Sequence, residues 1–208
     1  ATRANPRFID PKPELQWHYI NNGDEDFMPH RVAGADVNCG KAWEMSTGDP
    51  SIIVAVMDEG VMWSHPDLTD NIWVNEKEIY KSDEDNDGNG YKGDVYGFNF
   101  VTHTGVITWD DPNDTGHGTH VAGTIAAVNN NGIGVSGIAG GSGKKDGVKI
   151  MSLQIFQGQY GVTIQNEVRA IKYAADNGAV ILQFSWGYIS ALANPIVTGY
   201  EPGQYRTD

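Results

Sequence analysis

The chain has 208 residues, of which 39% are apolar and 26 are glycine, and its formal net charge is −13. That length supports one domain with a sizeable core. No run of 18 apolar residues occurs, so no membrane span is expected, and the acidic balance argues against nucleic acid while suiting divalent cations. The polar opening Ala1-Thr2-Arg3-Ala4-Asn5 does not begin with Met. It is expected to be a processed or cloned end rather than a signal peptide. Cys39 has no second cysteine to pair with and reads as a small packed residue.

Residues 1–15 are punctuated by Pro6, Pro11 and Pro13, which predicts an extended surface segment. Residues 40–48 predict a short helix anchored by Trp43 and closed by Gly48. The β-branched run 51–57 predicts a buried strand that ends at Asp58-Glu59-Gly60-Val61. Open α/β sheets place their sites at such carboxyl ends of strands. In residues 83–94, Asp83, Asp85, Asp87, Asn89 and Asp94 stand at positions 1, 3, 5, 7 and 12, with Gly88 at position 6. That spacing fits a loop wrapped around one calcium ion; the alternative is a solvated acidic turn. No helix pattern flanks both sides, which excludes an EF-hand. An aromatic strand is predicted over 95–101.

His117 stands between Gly116 and Gly118 at the start of a small-residue helix. Val121, Ile125 and Val128 mark its buried face, and Gly123 predicts a second backbone packed tightly against it. A histidine in the first turn of a buried helix is how a fixed general base is presented. Further on, a strand over 148–156, an amphipathic helix over 162–177 and a buried strand over 179–187 imply a right-handed parallel crossover. The expected core side of that helix holds Val162, Val168, Ile171 and Ala175, and residues 194–208 read as a loop. The fold class is α/β, a mostly parallel central sheet with helices on both faces.

Four motifs, Val54-Ala55-Val56-Met57-Asp58-Glu59-Gly60-Val61, His65-Pro66-Asp67-Leu68, Gly116-His117-Gly118-Thr119-His120-Val121-Ala122-Gly123-Thr124 and Phe184-Ser185-Trp186-Gly187, occur in this order. Together they resemble the subtilisin-like serine proteases (subtilases, peptidase family S8) over residues 16–187. The resemblance implies a subtilisin-like domain whose N-terminal portion is residues 16–208, truncated before the later Asn and Ser motifs. It implies an endopeptidase with Asp58 and His117 as catalytic residues. Gln157, Gly158 and Gln159, with Ser185, Trp186 and Gly187, become the two edges of a cleft where a peptide pairs as an added strand. Structural calcium is implied at Gln16, Asp67, the carbonyls of Val128, Ile133 and Val135, and the amide oxygen of Asn130 or Asn131. A secreted or extracytoplasmic location follows from the same likeness.

The triad is incomplete. No serine sits in a Gly-Thr-Ser-like or Gly-x-Ser-x-Gly setting; Ser136, Ser142 and Ser185 lack one. The expected partners are a peptide or protein substrate and a C-terminal half that carries the Asn and Ser, with no nucleic acid and no membrane span. An isolated fragment would expose the apolar side of its sheet. The alternative is a calcium-stabilised inactive subtilase fragment or pseudoprotease acting as a binding module. A metallohydrolase built on His117, His120 and Asp114 lacks the His-Glu-x-x-His spacing. Glu59 departs from the family's Ser or Thr after the Asp: either it points away to solvent, or the site is altered.

Overall fold

The computed structural model describes residues 8–11, 15–23, 32–158 and 163–187. Along the chain come α1 (Cys39–Met45), β1 (Ile53–Asp58), β2 (Gly97–Asn99), α2 (His117–Ala126), β3 (Lys149–Gln154), α3 (Ile164–Asp176) and β4 (Ile181–Phe184). The strands form one sheet in the order β2-β3-β1-β4, with every pairing parallel. β3 and β4 are therefore not neighbours; β1 lies between them.

Side-chain alternation along β1 explains why both faces are covered. Ala55 and Met57 point into one core with Phe98, Phe100, Met151, Leu153 and α3 residues. Val54 and Val56 point into the other, with Leu68, Ile72, Ile150, Ala122 and Ala126. Ala55, Val56 and Met57 are wholly buried, so truncating Met57 to Ala costs about 2–5 kcal/mol. On α2 the most buried row is Gly118, Ala122 and Ala126, four residues apart. These small side chains let the helix lie close against the sheet, while Val121 and Ile125 flank the contact half-buried. A satellite core of Phe8, Tyr19, Cys39 and Trp43 ties the N-terminal segment to α1, and the Trp43 indole donates to the Ile138 carbonyl at 2.8 Å.

Two expectations are corrected. The core side of α3 is Ala170, Tyr173 and Ala174, whereas Ile164, Val168 and Ile171 are 72%, 60% and 39% exposed. Tyr173 decides the rotation: its ring meets Tyr91 and Phe100, and its hydroxyl donates to buried Asp94 at 2.5 Å. The helix also starts at Ile164 rather than at 162, with the Thr163 side chain capping Asn166 N–H; Val162 lies outside the described residues, as does the 194–208 segment. Second, β4 is not buried. Among the described residues it pairs only with β1, at the edge of the sheet, leaving Ile181 and Phe184 49% and 42% exposed. Among the described residues no helix is long and apolar enough to cross a membrane.

Candidate active site

β1 delivers Asp58 at its last position, in register with Gln154 of β3. The Asp58 carbonyl accepts from Ile155 N–H at 2.9 Å, which anchors the strand end. α2 delivers His117 as its first residue. The two elements can meet because residue 118 is glycine: a Cβ there would stand 2.2 Å from the Glu59 carbonyl oxygen. Nδ1 of His117 lies 2.8 and 2.9 Å from the two Asp58 carboxylate oxygens. Asp58 is 2% exposed, while the His117 side chain is 47% exposed.

Burial pushes the Asp58 carboxyl above its usual range, opposed chiefly by the hydrogen bond from His117 and then by Glu59 N–H. The acceptor beside Nδ1 is a carboxylate, so Nδ1 carries the ring proton in the neutral tautomer and Nε2 the lone pair. The arrangement holds a half-exposed imidazole in the form that accepts a proton.

The Glu59 carboxylate does not point away to solvent. It turns onto the start of α2, accepting from His117 N–H at 3.0 Å and from both the N–H and the hydroxyl of Thr115 at 3.1–3.2 Å. Sequence reasoning missed this, although one sign was legible: Gly116, at the N-cap, has no side chain with which to cap, and no acid follows in the first turn. Gly123 is a second correction. Nothing approaches within 4 Å of a Cβ built there; Gly123 faces a cavity of about 710 Å³ that also borders Met62, His65, Trp109, Thr119 and His120.

The expected cleft edges lie on either side of β1's end. Trp186 is half-buried against Phe156 and Phe184, and its indole donates to the Met57 carbonyl at 2.8 Å. Ser185 and Gly187 beside it are exposed, and Gln157 and Gly158 are half-buried. Asp114 accepts from Gly158 N–H at 2.6 Å and from Asp111 N–H at 3.0 Å, so the loop before His117 is tied to that edge. This commits Asp114 to that edge, and among the described residues no group of three or more acids and histidines that could hold a metal includes His117 or His120. Gln159 lies outside the described residues.

The calcium-site residues fall in two places. In the first, Asp67 is 3% exposed and accepts from the Asn131 amide at 2.7 Å and Val135 N–H at 2.9 Å. Asn130 instead spans Ile9 N–H and the Ser142 carbonyl, so Asn131 is the amide beside Asp67. Gln16 exchanges two hydrogen bonds with the Ser136 backbone. Val128 N–H donates to the Asp67 carbonyl, and Ile133 and Val135 lie in the same turn. Asp10, missed in the sequence, is also 3% exposed and receives the N–H groups of Asn130, Asn131 and Gly132. Burial raises the Asp67 carboxyl, and Asp10 adds to the rise. Among the described residues neither carboxylate has a lysine or arginine partner. The groups that face these two buried carboxylates are backbone and amide N–H donors and the Ser136 hydroxyl.

In the second place, oxygens of Glu78, Asp85 and Asp87 lie within 4.8 Å of one another. Glu78 precedes the loop and was not among the expected ligands. Asn89 bonds to Asp87 and Asp94, whereas Asp83 is exposed and outside the converging group. Asp94 turns inward: it is fully buried, with Tyr173, Asn89 and Asn75 as its hydrogen-bond partners. Burial, reinforced by Asp94, holds the Tyr173 hydroxyl far above its ordinary pKa, so it serves as a neutral donor.

Known proteins share this arrangement of elements. Subtilisin-like protease 1 of Plasmodium vivax is 49% identical over 90 residues, 43% of this chain and 14% of that protein. The Aeromonas extracellular serine protease of Aeromonas sobria is 35% identical over 131 residues, 62% of this chain and 17% of its own length. The crystal structure of the Aeromonas sobria serine protease with a chaperone superposes with a TM-score of 0.66 at 26% identity, covering 89% of this chain and 26% of that one. A structure of proteases from Pseudoalteromonas arctica gives 0.58 at 28% identity, over 88% and 51%. The chain thus spans 14% to 17% of the length of these two curated relatives. The subtilase family model matches residues 49–205, from before β1 to beyond β4 and through both Asp58 and His117, and the chain belongs to that family.

Proposed function

We propose that this chain contributes the acid–base pair of a serine endopeptidase, with His117 as general base and Asp58 as the group that orients it. One observation carries the reading: a half-exposed imidazole whose Nδ1 lies 2.8 Å from a carboxylate that is 2% exposed. A buried acceptor at Nδ1 selects the tautomer whose Nε2 takes a proton, then stabilises the imidazolium that forms. The proton leaves a serine hydroxyl as its oxygen attacks the peptide carbonyl, and His117 returns it to the departing amine.

In this reading the serine, and the Asn that steadies the oxyanion, lie in a C-terminal segment outside this chain. None of Ser136, Ser142 and Ser185 stands in a nucleophile setting. The exposed edge strand β4 and the exposed apolar row on α3 support a covering segment there. The substrate would pair as a strand with Gln157, Gly158 and Gln159 on one side and Ser185, Trp186 and Gly187 on the other. Trp186, pinned to the Met57 carbonyl, supplies a rigid wall.

Calcium would be held by Asp67, Asp10, Asn131 and the carbonyls of Val128, Ile133 and Val135, with Gln16 joining on release from Ser136. A second ion would be held by Glu78, Asp85 and Asp87. Bound calcium would offset repulsion among these carboxylates and stiffen two loops, with no part in bond cleavage. Secretion fits this chemistry and the extracellular Aeromonas sobria relative.

The test is labelling of the full-length protein with a serine-directed fluorophosphonate, read by intact mass and peptide mapping. Labelling of a serine outside this chain, lost in His117→Ala, is the expected result. A folded, calcium-binding protein that takes no label would instead be a pseudoprotease acting as a binding module.

A further inference from the structure

The side chain of Glu59 belongs to neither the acid–base pair nor a cation group, yet it touches the element that carries the base. α2 begins without a capping side chain at Gly116 and without an acid in its first turn. The first N–H groups of a helix have no partner within it and attract negative charge. Here the helix supplies no such charge, and Glu59, the residue after β1, does. The Glu59 carboxylate accepts from His117 N–H at 3.0 Å, and each of its oxygens also faces the Thr115 N–H and hydroxyl at 3.1–3.2 Å. Its backbone engages the other member of the pair, because Glu59 N–H donates to the Asp58 carboxylate at 2.7 Å. Its carbonyl packs against the Cα of Gly118 closely enough to leave no room for a Cβ.

We infer that Glu59 is a positioning residue that clamps the backbone of His117 to that of Asp58, holding the imidazole in register with its carboxylate. A small hydroxyl after Asp58 would be too short to span from the strand end to Thr115 and His117 in this way. The carboxylate adds to the Asp58–His117 hydrogen bond, and to the bond from Met62 N–H to the Thr119 hydroxyl, as a tie between the segment that ends β1 and the start of α2. The inference rests on the acid–base reading proposed above.

The experiment measures kcat and KM of the full-length protein on a peptide p-nitroanilide for Glu59→Ala, Glu59→Gln and His117→Ala. The low-field proton resonance of the His117 Nδ1–H is recorded for each folded variant. Displacing a reacting group by about 1 Å costs up to roughly 100-fold. The expected result for Glu59→Ala is a fall in kcat of about 10- to 100-fold, a KM within about twofold, and a broadened or shifted Nδ1–H resonance. Glu59→Gln keeps one acceptor oxygen and is expected to fall between Ala and the parent. A simple helix cap would lower stability but leave kcat and the resonance of the folded protein unchanged, and that outcome overturns the inference. If Glu59→Ala does not fold, Glu59→Gln decides: parental kcat with a parental resonance overturns the clamp, and a loss in both supports it. Activity that survives His117→Ala would refute the acid–base reading itself, whereas an inactive His117→Ala beside a fully active Glu59→Ala refutes only the role of Glu59.

Discussion

Two glycine-to-alanine changes on one helix are expected to have opposite signs. Alanine exceeds glycine in intrinsic helix propensity by about 1 kcal/mol, and α2 contains both Gly118 and Gly123. At Gly118 the new Cβ would stand 2.2 Å from the Glu59 carbonyl oxygen and 2.9 Å from its carbon, where real Cβ atoms keep at least 3.0 Å. Both obstacles are backbone, so relief requires α2 to retreat from β1 by about 0.8 Å at its first turn. Overpacking of this kind costs about 1–3 kcal/mol, and against backbone the upper part of that range applies. After the propensity gain, Gly118→Ala is expected to lose about 1–2 kcal/mol. At Gly123 no atom lies within 4 Å of the new Cβ, so the propensity gain stands nearly alone. Gly123→Ala is expected to gain about 0.5–1 kcal/mol. Urea unfolding of the chain followed by circular dichroism measures both, with equal slopes confirming that only stability changed. Two variants of equal stability, or the reverse order, would refute the claim that α2 rests on the Glu59 carbonyl.

Three further outcomes are expected. Tyr173→Phe removes the donor at 2.5 Å from buried Asp94 and should cost about 1.5–3 kcal/mol, read as a lower urea midpoint; an unchanged midpoint would mean that Asp94 is served by other donors. Calcium at about 100 times its Kd should stabilise the protein by about 2.7 kcal/mol per site, with Asp67→Asn and Asp85→Asn each removing part of the response to a chelator; a melting temperature indifferent to calcium would remove both sites. Burial raises the Asp58 carboxyl above 3.8, so the folded state holds this proton more tightly than the unfolded state does. The contribution of Asp58 to stability is therefore greatest below 3.8 and declines as pH rises through its raised value. Across that acid window the stability of the parent relative to Asp58→Asn should fall with rising pH, and a difference that grows would contradict the raised value.

The sequence by itself determined the strand that ends at Asp58, the helix that opens with His117, and the parallel α/β class. Each is encoded locally: a β-branched run, two glycines around a histidine, and strand and helix patterns in alternation. The pairing of Asp58 with His117, 59 positions apart, was legible only through the order of four motifs, since spacing along the chain carries no distance in space. Only the tertiary structure decided which face of α3 is buried, because Tyr173 reaches Asp94 and an aromatic cluster that periodicity cannot register. It alone set β4 at the sheet edge, since a strand's neighbours depend on topology and not on its own composition. It also placed Asn131 rather than Asn130 beside Asp67, brought Asp10 and Glu78 to the acidic groups, and turned Glu59 onto the helix start. Glu78 aside, which stands close in sequence to Asp85 and Asp87, the deciding contact joins residues distant in sequence, and their meeting is fixed by packing around the sheet rather than by any local preference.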